Sequence, residues 1–389
     1  MGGRVLIAYM VRNLLRRPWS SVMTLVGIGV VVFAVVLMLM LARGLFVRVR
    51  ETGDPRNVVV ISKTGQSIVL SALFDEDVAL LLELEGIAKD ASGRVLISPE
   101  LVQLLYAEVP EARQPNGAPI TVRGIRPIAM EVHRAVEVVQ GRIPLYANEV
   151  MVGSLAHVKL GVSEEEMRVG SVIRFEGMEW RVCGVFSARG SLYESELWVR
   201  ESDLMAAMER GTHSCATVRC SSIAAAEAAI LAFERPGALQ RTFTAWQEPA
   251  YYRMYAEALR WILWLTWGFV VAIGAAGVLI GMNTMYTNVI ARRSEIGTLR
   301  VLGFGRGTIG VLLVGEAMML SLGGGLAGMG LGRLLHAVPL AVAQGAFFLC
   351  FDRTVALAAF GLATMIGIVG TVVPAFRVLH GGILENLRD

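Results

Sequence analysis

The sequence lacks the motifs of several enzyme classes. Its only lysines are Lys63, Lys89 and Lys159, and none completes a G-x-x-x-x-G-K-[ST] phosphate-binding loop. No G-x-S-x-G serine nucleophile motif occurs. The segment 305–310 matches G-x-G-x-x-G, but it opens an apolar run instead of following a strand, so it fails as a dinucleotide fingerprint. We therefore expect no catalytic residue and no cofactor in this chain.

Cysteine and histidine are scarce, with four and five residues respectively. The only grouping that resembles a metal site is His213, Cys215 and Cys220. In a strand, Cys220 would point away from the other two because it stands at odd spacing, so we expect no metal. Outside the cytoplasm, cysteines can pair oxidatively. A disulfide is therefore possible among Cys183, Cys215 and Cys220, and the sequence leaves the pairing open.

Long apolar runs are abundant. Hydrophobic residues make up 54% of the chain, above the roughly 45–50% of soluble proteins. Four runs, 21–42, 261–286, 308–335 and 354–375, have the approximately 20 residues that a helix needs to cross a hydrocarbon core. The sequence therefore predicts a membrane protein with four transmembrane helices and both termini on the same side.

The arginines predict which side that is. Residues 1–20 and the loop 287–307 are rich in arginine, whereas segment 43–260 is net acidic and loop 336–353 is neutral. Positive charge in short loops is retained in the cytoplasm. We therefore expect a multi-pass protein of the inner (cytoplasmic) membrane, with both termini cytoplasmic and segment 43–260 outside.

The large outside segment contains both strand-like and helix-like sequence patterns. Strand-like stretches at 57–61, 120–124, 171–175 and 180–186 alternate with helix-like stretches at 75–84 and 222–233. The predicted order is a cytoplasmic interfacial amphipathic helix at 1–18, the first span and stalk at 19–51, an extracytoplasmic α+β domain at 52–250, a second stalk and span at 251–286, a charged cytoplasmic loop at 287–307, the third span at 308–335, an outside loop at 336–353, the fourth span at 354–375 and a cytoplasmic tail at 376–389.

The third span contains two unusual features. Small residues recur every four positions, at Gly324, Gly328 and Gly332, which permits close helix packing in lipid. This ridge could pack inside the four-helix bundle or form a dimer seam. Glu316 lies about two turns into the span, where a carboxylate is costly. We expect it to lie near the interface, paired with an arginine such as Arg306 or Arg293.

The loop between the second and third spans is amphipathic. Ile296, Leu299 and Leu302 fall at roughly helical spacing and could enter an apolar groove on a partner. The charged residues could surround that face as a rim; they are Arg292, Arg293, Glu295 and Arg300. The alternative is an ordinary loop whose arginines only fix the topology. Periodicity alone does not separate the two.

The exact residue sequence of this loop is more specific than its hydrophobic periodicity. The segment 295–303, EIGTLRVLG, is similar to the E-I-G-x-L-[RK]-A-[LI]-G signature of FtsX-like permease domains, with Val301 in place of the usual alanine. The basic arm at 12–17, Pro374 with Ala375, and the tail at 384–388 also resemble that family. Segments 141–144, 148–153, 160–162 and 182–186 occur in the order of MacB-like periplasmic core domains. The chain thus resembles the permease subunits of MacB/LolC/FtsX-type ABC transporters.

This resemblance implies a fold and a set of partners. The fold is α-helical in the membrane, with a MacB-like α+β domain inserted between helices 1 and 2. The partners are an ATPase subunit that binds ATP and Mg²⁺, a second permease copy or a paralogue, the lipid membrane and, outside, an adaptor or lipoprotein carrier; nucleic acid is not expected. The resemblance assigns ATPase coupling to Arg292, Arg293, Glu295, Ile296, Gly297, Leu299, Arg300, Leu302 and Gly303.

The implied function is mechanotransmission. ATP-driven motion of the ATPase would reach the outside domain and export or extract a substrate, either a lipoprotein or lipid or an efflux cargo, from the periplasmic side. The alternative is FtsX-like signalling, in which the same motion activates an extracytoplasmic hydrolase. The outside domain, at about 200 residues, is large for an FtsX form, which favours transport.

Overall fold

The computed structural model describes residues 3–16, 18–112, 117–258, 260–342 and 345–380. The chain forms two compact units. We call Met1–Arg43, Trp261–Val338 and Leu349–Asp389 the membrane unit, and Gly44–Arg260 with Pro339–Phe348 the sheet unit. Arg17 of the basic arm and the family-like tail at 384–388 lie outside the described residues.

The helices and strands alternate along the chain. The helices are α1 (Gly3–Arg16), α2 (Pro18–Glu51), α3 (Asp75–Leu80), α4 (Ala129–Val132), α5 (Ala156–Leu160), α6 (Glu201–Ala207), α7 (Ile223–Glu234), α8 (Ala238–Thr242), α9 (Glu248–Ala258), α10 (Arg260–Ile290), α11 (Arg293–Val301), α12 (Arg306–Leu334) and α13 (Arg353–His380). The strands are β1 (Asn57–Ser62), β2 (Ile97–Ala107), β3 (Ala118–Ile125), β4 (Glu137–Gly141), β5 (Glu149–Gly153), β6 (Val172–Phe175), β7 (Met178–Ser187), β8 (Leu197–Arg200), β9 (Cys215–Arg219), β10 (Phe243–Gln247), β11 (Pro339–Val342) and β12 (Gly345–Phe348).

Four helices of the described chain are long and apolar enough to cross a membrane. They cover Pro18–Gly44, Arg260–Ile290, Arg306–Leu334 and Arg353–Phe376. The four predicted spans are therefore confirmed as helices. The second of these helices continues to Ile290, four residues past the predicted end at 286. The residues 287–290 that precede α11 therefore belong to the helix and not to the loop.

The glycine ridge of α12 packs against α2. A Cβ on Gly328 would lie 2.5 Å from the carbonyl oxygen of Gly29 and 2.9 Å from the amide nitrogen of Phe33. One on Gly324 would lie 2.6 Å from the carbonyl oxygen of Leu25. These are backbone atoms, which cannot move aside as a flexible side chain can. The structure thus uses the small-residue ridge for packing within the chain, which is the first of the two predicted possibilities.

The sheet unit contains one large mixed sheet in the order β10-β1-β9-β2-β3-β8-β5-β7-β4, with β6 paired to β7. Most pairs are antiparallel, whereas β3 with β8 and β5 with β7 are parallel. Four of these strands, β1, β3, β6 and β7, coincide with the predicted strand-like stretches. Together with α3 and α7 they confirm the α+β class.

Buried apolar side chains on both faces of this sheet form the cores of the unit. One cluster contains Phe175 and Trp180, whose rings stack with centroids 4.6 Å apart, and another contains Trp198 and Phe186. A third cluster lies under α7. The N-cap of α7 is Ser222, whose side chain accepts a hydrogen bond from the amide of Ala225. The sheet is therefore covered by its own helices and loops.

The loop at 336–353 is more structured than the sequence predicted. Its β11–β12 hairpin belongs to the sheet unit, and the Ala346 amide donates a hydrogen bond to Ser195 Oγ at 2.8 Å. The contact joins residues 151 positions apart in the chain. Local sequence patterns carry no signal for such a distant contact.

Candidate functional site

Helix α11 lies in the predicted cytoplasmic loop. Glu295 stands in its first turn and Arg300 in its last, so each charge complements the helix dipole. The helix ends in a Schellman motif, in which the Gly303 amide donates to the Arg300 carbonyl at 3.1 Å and the Phe304 amide donates to the Leu299 carbonyl at 3.1 Å. Gly303 has a φ of 90°, which favours glycine. The closing glycine of the family signature is therefore the stop signal of α11.

The inner face of α11 packs on the membrane unit itself. Ile296 is buried in a cluster with Val289, Ile309, Leu313 and Ala375. Leu299 and Phe304 lie partly buried against the same cluster, which supplies the apolar contact that accompanies a Schellman motif. This corrects the prediction of a single apolar face for a partner, because Ile296 and Gly297 are buried within the chain.

A buried ion pair holds the entry to α11. Arg292 Nη1 donates to Glu316 Oε2 at 2.7 Å, and its Nε donates to Glu295 Oε2 at 3.0 Å. Asn13 Nδ2 from α1 donates to Glu316 Oε1 at 2.5 Å. The predicted pairing of Glu316 with an arginine is thus present, but the partner is Arg292 and the carboxylate is buried. The cluster connects α1, the start of α11 and α12, since one residue comes from each.

The outer face of α11 is apolar at one end. Val301, the last residue of α11, is 68% exposed, and Leu302, which follows it, is 69% exposed. Glu295 is half-exposed at the other end, and Arg300 is partly buried between them. The side chain of Arg293 lies outside the described residues. Of the predicted coupling residues, the structure therefore exposes Glu295, Leu302 and Gly303 and buries Arg292, Ile296 and Gly297.

The predicted disulfide is absent from the structure. All four cysteines are free, and Cys183, Cys215 and Cys220 are buried. Cys183 lies on β7 and Cys215 on β9, with β2, β3, β8 and β5 between those strands in the sheet. Cys220 packs in a different core from Cys215, as its odd spacing predicts. His213 instead faces the carboxylates of Glu201 and Asp75, at 2.7 and 3.0 Å.

The sheet unit contains a buried ionic network that the sequence analysis missed. Arg123 binds Glu196 through Nε at 2.7 Å and Nη2 at 2.8 Å, and Glu100 through Nη1 at 2.6 Å. His133 Nε2 lies 2.6 Å from Glu100 Oε1. Glu248, the first residue of α9, accepts hydrogen bonds from the Asp54 amide, Asn57 Nδ2 and the Tyr193 hydroxyl. A possible signal was Arg123 inside an apolar strand, since such a charge requires a buried partner.

The network shifts the pKa values of His133 and Glu100. Burial by itself lowers the pKa of His133, but the negative charges of Glu100 and Glu248 outweigh it and raise that pKa to about 10. Burial raises the pKa of Glu100, but His133 and Arg123 outweigh it and lower that pKa to about 2. At neutral pH His133 and Glu100 are therefore both charged, and their charges compensate each other.

Comparison with known proteins covers both units. A family model described as the MacB-like periplasmic core domain matches residues 21–235, and one described as the FtsX-like permease C-terminal domain matches residues 267–383. An uncharacterized ABC transporter permease of Methanocaldococcus jannaschii is 25% identical over 58% of this chain and 59% of its own length. The macrolide export ATP-binding/permease protein MacB of Escherichia coli is 36% identical over 26% of this chain and 16% of its own length.

Solved structures resemble this chain only at low identity and with low TM-scores. The periplasmic region of MacB from Actinobacillus actinomycetemcomitans has a TM-score of 0.38 at 15% identity, over 52% of this chain and 92% of that one. The chain spans less than two thirds of the length of the curated relatives that it matches. The periplasmic-domain model, however, matches more than half of the chain, and the permease model matches most of the remainder. The chain therefore belongs to the MacB/FtsX-type family of ABC transporter permeases.

Proposed function

We propose that this chain is the permease subunit that binds a separate ATPase through α11 and transmits ATP-driven motion to the sheet unit. The observation that carries the proposal is the contrast between the two faces of α11. Its inner face is fixed to the membrane unit, and its outer end presents Val301 and Leu302 in an otherwise polar segment. Apolar side chains surrounded by charge are typical of the centre of a protein interface.

The contacts between α11 and the membrane unit would transmit a displacement of α11. Moving α11 away from α12 would separate Arg292 from Glu316, and breaking a buried ion pair costs about 3–5 kcal/mol. Displacement of α11 would therefore move α12 with it. Because Gly324 and Gly328 bring α12 into backbone contact with α2, the motion would continue into α2, which is one helix from Pro18 to Glu51.

The remaining assignments follow from this role. ATP and Mg²⁺ would bind on the ATPase partner, and a second permease copy or a paralogue would complete the complex. The termini and α11 would be cytoplasmic in the inner membrane, with the sheet unit outside. The work done would be export, or extraction of a lipoprotein, lipid or efflux cargo from the periplasmic side, with an adaptor or carrier as the receiving partner.

Assembly with the ATPase tests the contact surface. Leu302→Asp should reduce recovery of the ATPase that co-purifies with the wild-type chain by at least about 10-fold, since burying a leucine contributes about 1.5–3 kcal/mol. Leu70→Asp is the matched control, because Leu70 is 71% exposed but belongs to the sheet unit. Wild-type assembly and coupled hydrolysis in Leu302→Asp would contradict the proposed contact.

The type of work is tested separately. In reconstituted vesicles, transport predicts ATP-dependent loss of a labelled cargo from the membrane or lumen. Activation of an added extracytoplasmic hydrolase without any such release would favour the signalling alternative. Assembly through α11 would be retained in both cases.

A further inference from the structure

One face of α1 carries apolar side chains that the chain does not cover. Val11 is exposed, and Leu15, one helical turn later, is 71% exposed. Trp19, at the start of α2, is 78% exposed. A single residue separates α1 from α2, whose segment Pro18–Gly44 is long and apolar enough to cross a membrane. The exposed face of α1 therefore lies where the chain enters the bilayer, at the level of the lipid headgroups.

Two arginines border this apolar face. Arg12 and Arg16 are exposed, and a rotation of about 100° per residue places them beside Val11 and Leu15 on the helix surface. Residues 1–20 contain no aspartate or glutamate. Within the described part of the chain, neither arginine forms an ion pair. The exposed face of α1 thus combines apolar side chains with unpaired positive charge, as helices at an anionic membrane surface do.

A second face of α1 is docked on the membrane unit. Met10 is buried, and a Cβ on Gly315 of α12 would lie 2.5 Å from its Cε. Leu14 packs against buried side chains of α10 and α12, and its carbonyl accepts a hydrogen bond from Ser21 Oγ at 3.0 Å. This docking fixes which face of α1 the chain itself uses and leaves the face with the arginines for another partner.

Asn13 connects the docked face of α1 to the entry of α11. Its Nδ2 donates to Glu316 Oε1, and Glu316 Oε2 accepts from Arg292 Nη1 at 2.7 Å. Arg292 also pairs with Glu295. Counted together, this cluster and the two arginines of α1 contain three arginines and two carboxylates, so the positive charge of α1 is not cancelled. A displacement of α1 would move the carboxylate that holds Arg292 and with it the entry of α11.

We propose that α1 binds anionic lipid headgroups and that this contact controls the position of α11. The two arginines of α1 bind phosphate oxygens of the headgroups, while its exposed apolar side chains enter the acyl-chain boundary. The bound lipid fixes α1, and the hydrogen bond from Asn13 to Glu316 passes this constraint to Arg292. The consequence for ATPase binding rests on the proposed function of α11, whereas lipid binding by α1 does not.

Hydrogen exchange of the full-length protein in nanodiscs tests the lipid contact. Nanodiscs of phosphatidylcholine are compared with nanodiscs that also contain phosphatidylglycerol. The anionic lipid should slow exchange of the α1 amides by up to about 25-fold, because each arginine near an anionic surface contributes a factor of about 5. Replacing both arginines of α1 by glutamine should abolish the slowing, whereas replacing both by lysine should retain it. Arg333→Gln with Arg353→Gln is the matched control, because both side chains are exposed and neither lies on α1.

The connection to α11 is tested in the same experiment. In the wild-type chain, phosphatidylglycerol should also slow exchange of the α11 amides. Asn13→Leu keeps the size of the side chain but removes the donor to Glu316. In this variant the α1 amides should still respond to the anionic lipid, whereas the α11 amides should not.

Equal exchange of α1 in the two kinds of nanodisc would overturn the proposal. The same lipid response in the glutamine and lysine variants would also overturn it, as would protection of α1 that appears only when the ATPase subunit is added, since that result identifies a protein contact. An α11 response that is absent from the wild-type chain, or that survives Asn13→Leu, would overturn the connection to α11. Failure of the wild-type chain to assemble with an ATPase would overturn only the proposed function, because neither exchange measurement requires the ATPase.

Discussion

Replacing Arg123 by methionine should destabilise the sheet unit strongly. Arg123 is 3% exposed and donates three charge-assisted hydrogen bonds, two to Glu196 and one to Glu100. In the variant, Glu100 keeps His133, whereas Glu196 keeps only the Trp198 indole, whose Nε1 donates at 2.9 Å. The change therefore leaves one buried carboxylate without a cation.

Removing one partner from a buried ion pair costs about 3–5 kcal/mol. In a unit of this size, each kcal/mol shifts the midpoint of thermal unfolding by about 2–4 °C, so the expected decrease is about 6–20 °C. Hydrogen exchange measured by mass spectrometry on the full-length protein would localise the loss. Peptides from β2, β3 and β8 should exchange faster, because these strands carry or adjoin the network.

Arg174→Met is the matched control. Arg174 also has two carboxylate partners, Glu108 and Glu179, but its side chain is 44% exposed. Exposed ion pairs contribute about 0–1 kcal/mol because water and salt screen them. If Arg123→Met cost no more than Arg174→Met, the reasoning that burial determines the strength of this network would be refuted.

Three further changes are expected to have measurable effects. Gly328→Ala should destabilise the protein in detergent by about 1–3 kcal/mol through overpacking against α2, whereas Gly330→Ala, with open space at the Cβ, should not; equal thermal midpoints would contradict this. Glu316→Gln should cost about 1.5–3 kcal/mol, less than the full 3–5 kcal/mol of a broken buried pair, because Arg292 keeps Glu295 as a partner, and a chemical unfolding series that includes Arg292→Met with Glu316→Met should show recovery; an unaffected Glu316→Gln would count against the pair. The raised pKa of His133 contributes stability that is complete below about 6.5 and is lost as pH rises through about 10, so unfolding of the sheet unit should become easier between pH 7 and 10; a flat profile, or the same slope in His133→Gln, would contradict this.

The segment 295–303 shows how far a sequence motif can be interpreted. The signature at 295–303 identified the segment, and Gly303 marks the end of its helix. Periodicity grouped Ile296, Leu299 and Leu302 on one face, because 3.6-residue spacing shows which residues are neighbours. It does not show whether that face contacts a partner or the chain's own helices. Val289, Ile309, Leu313 and Ala375, which bury Ile296, come from three other helices.

The sheet unit shows a second limit. Stretches such as 57–61 and 180–186 were recognised because their β-branched and aromatic residues form local patterns. The buried partners of Arg123 are 23 and 73 residues away in the chain, and Glu248 meets Asn57 across 191 positions. The order of the strands in the sheet decides which of these distant residues are in contact. No local sequence pattern encodes that order.

The sequence by itself determined the four membrane helices, the inserted α+β domain and the family. The length of the apolar runs, the residue spacing and the signature at 295–303, which carried these predictions, are local properties of the chain. Tertiary structure alone decided that Arg292 is the partner of Glu316, that the glycine ridge of α12 packs on α2, and that Arg123 pairs with Glu100 and Glu196. Each of these depends on which distant segments share a buried space, where an unpaired charge or donor is costly and a single Cβ is too large.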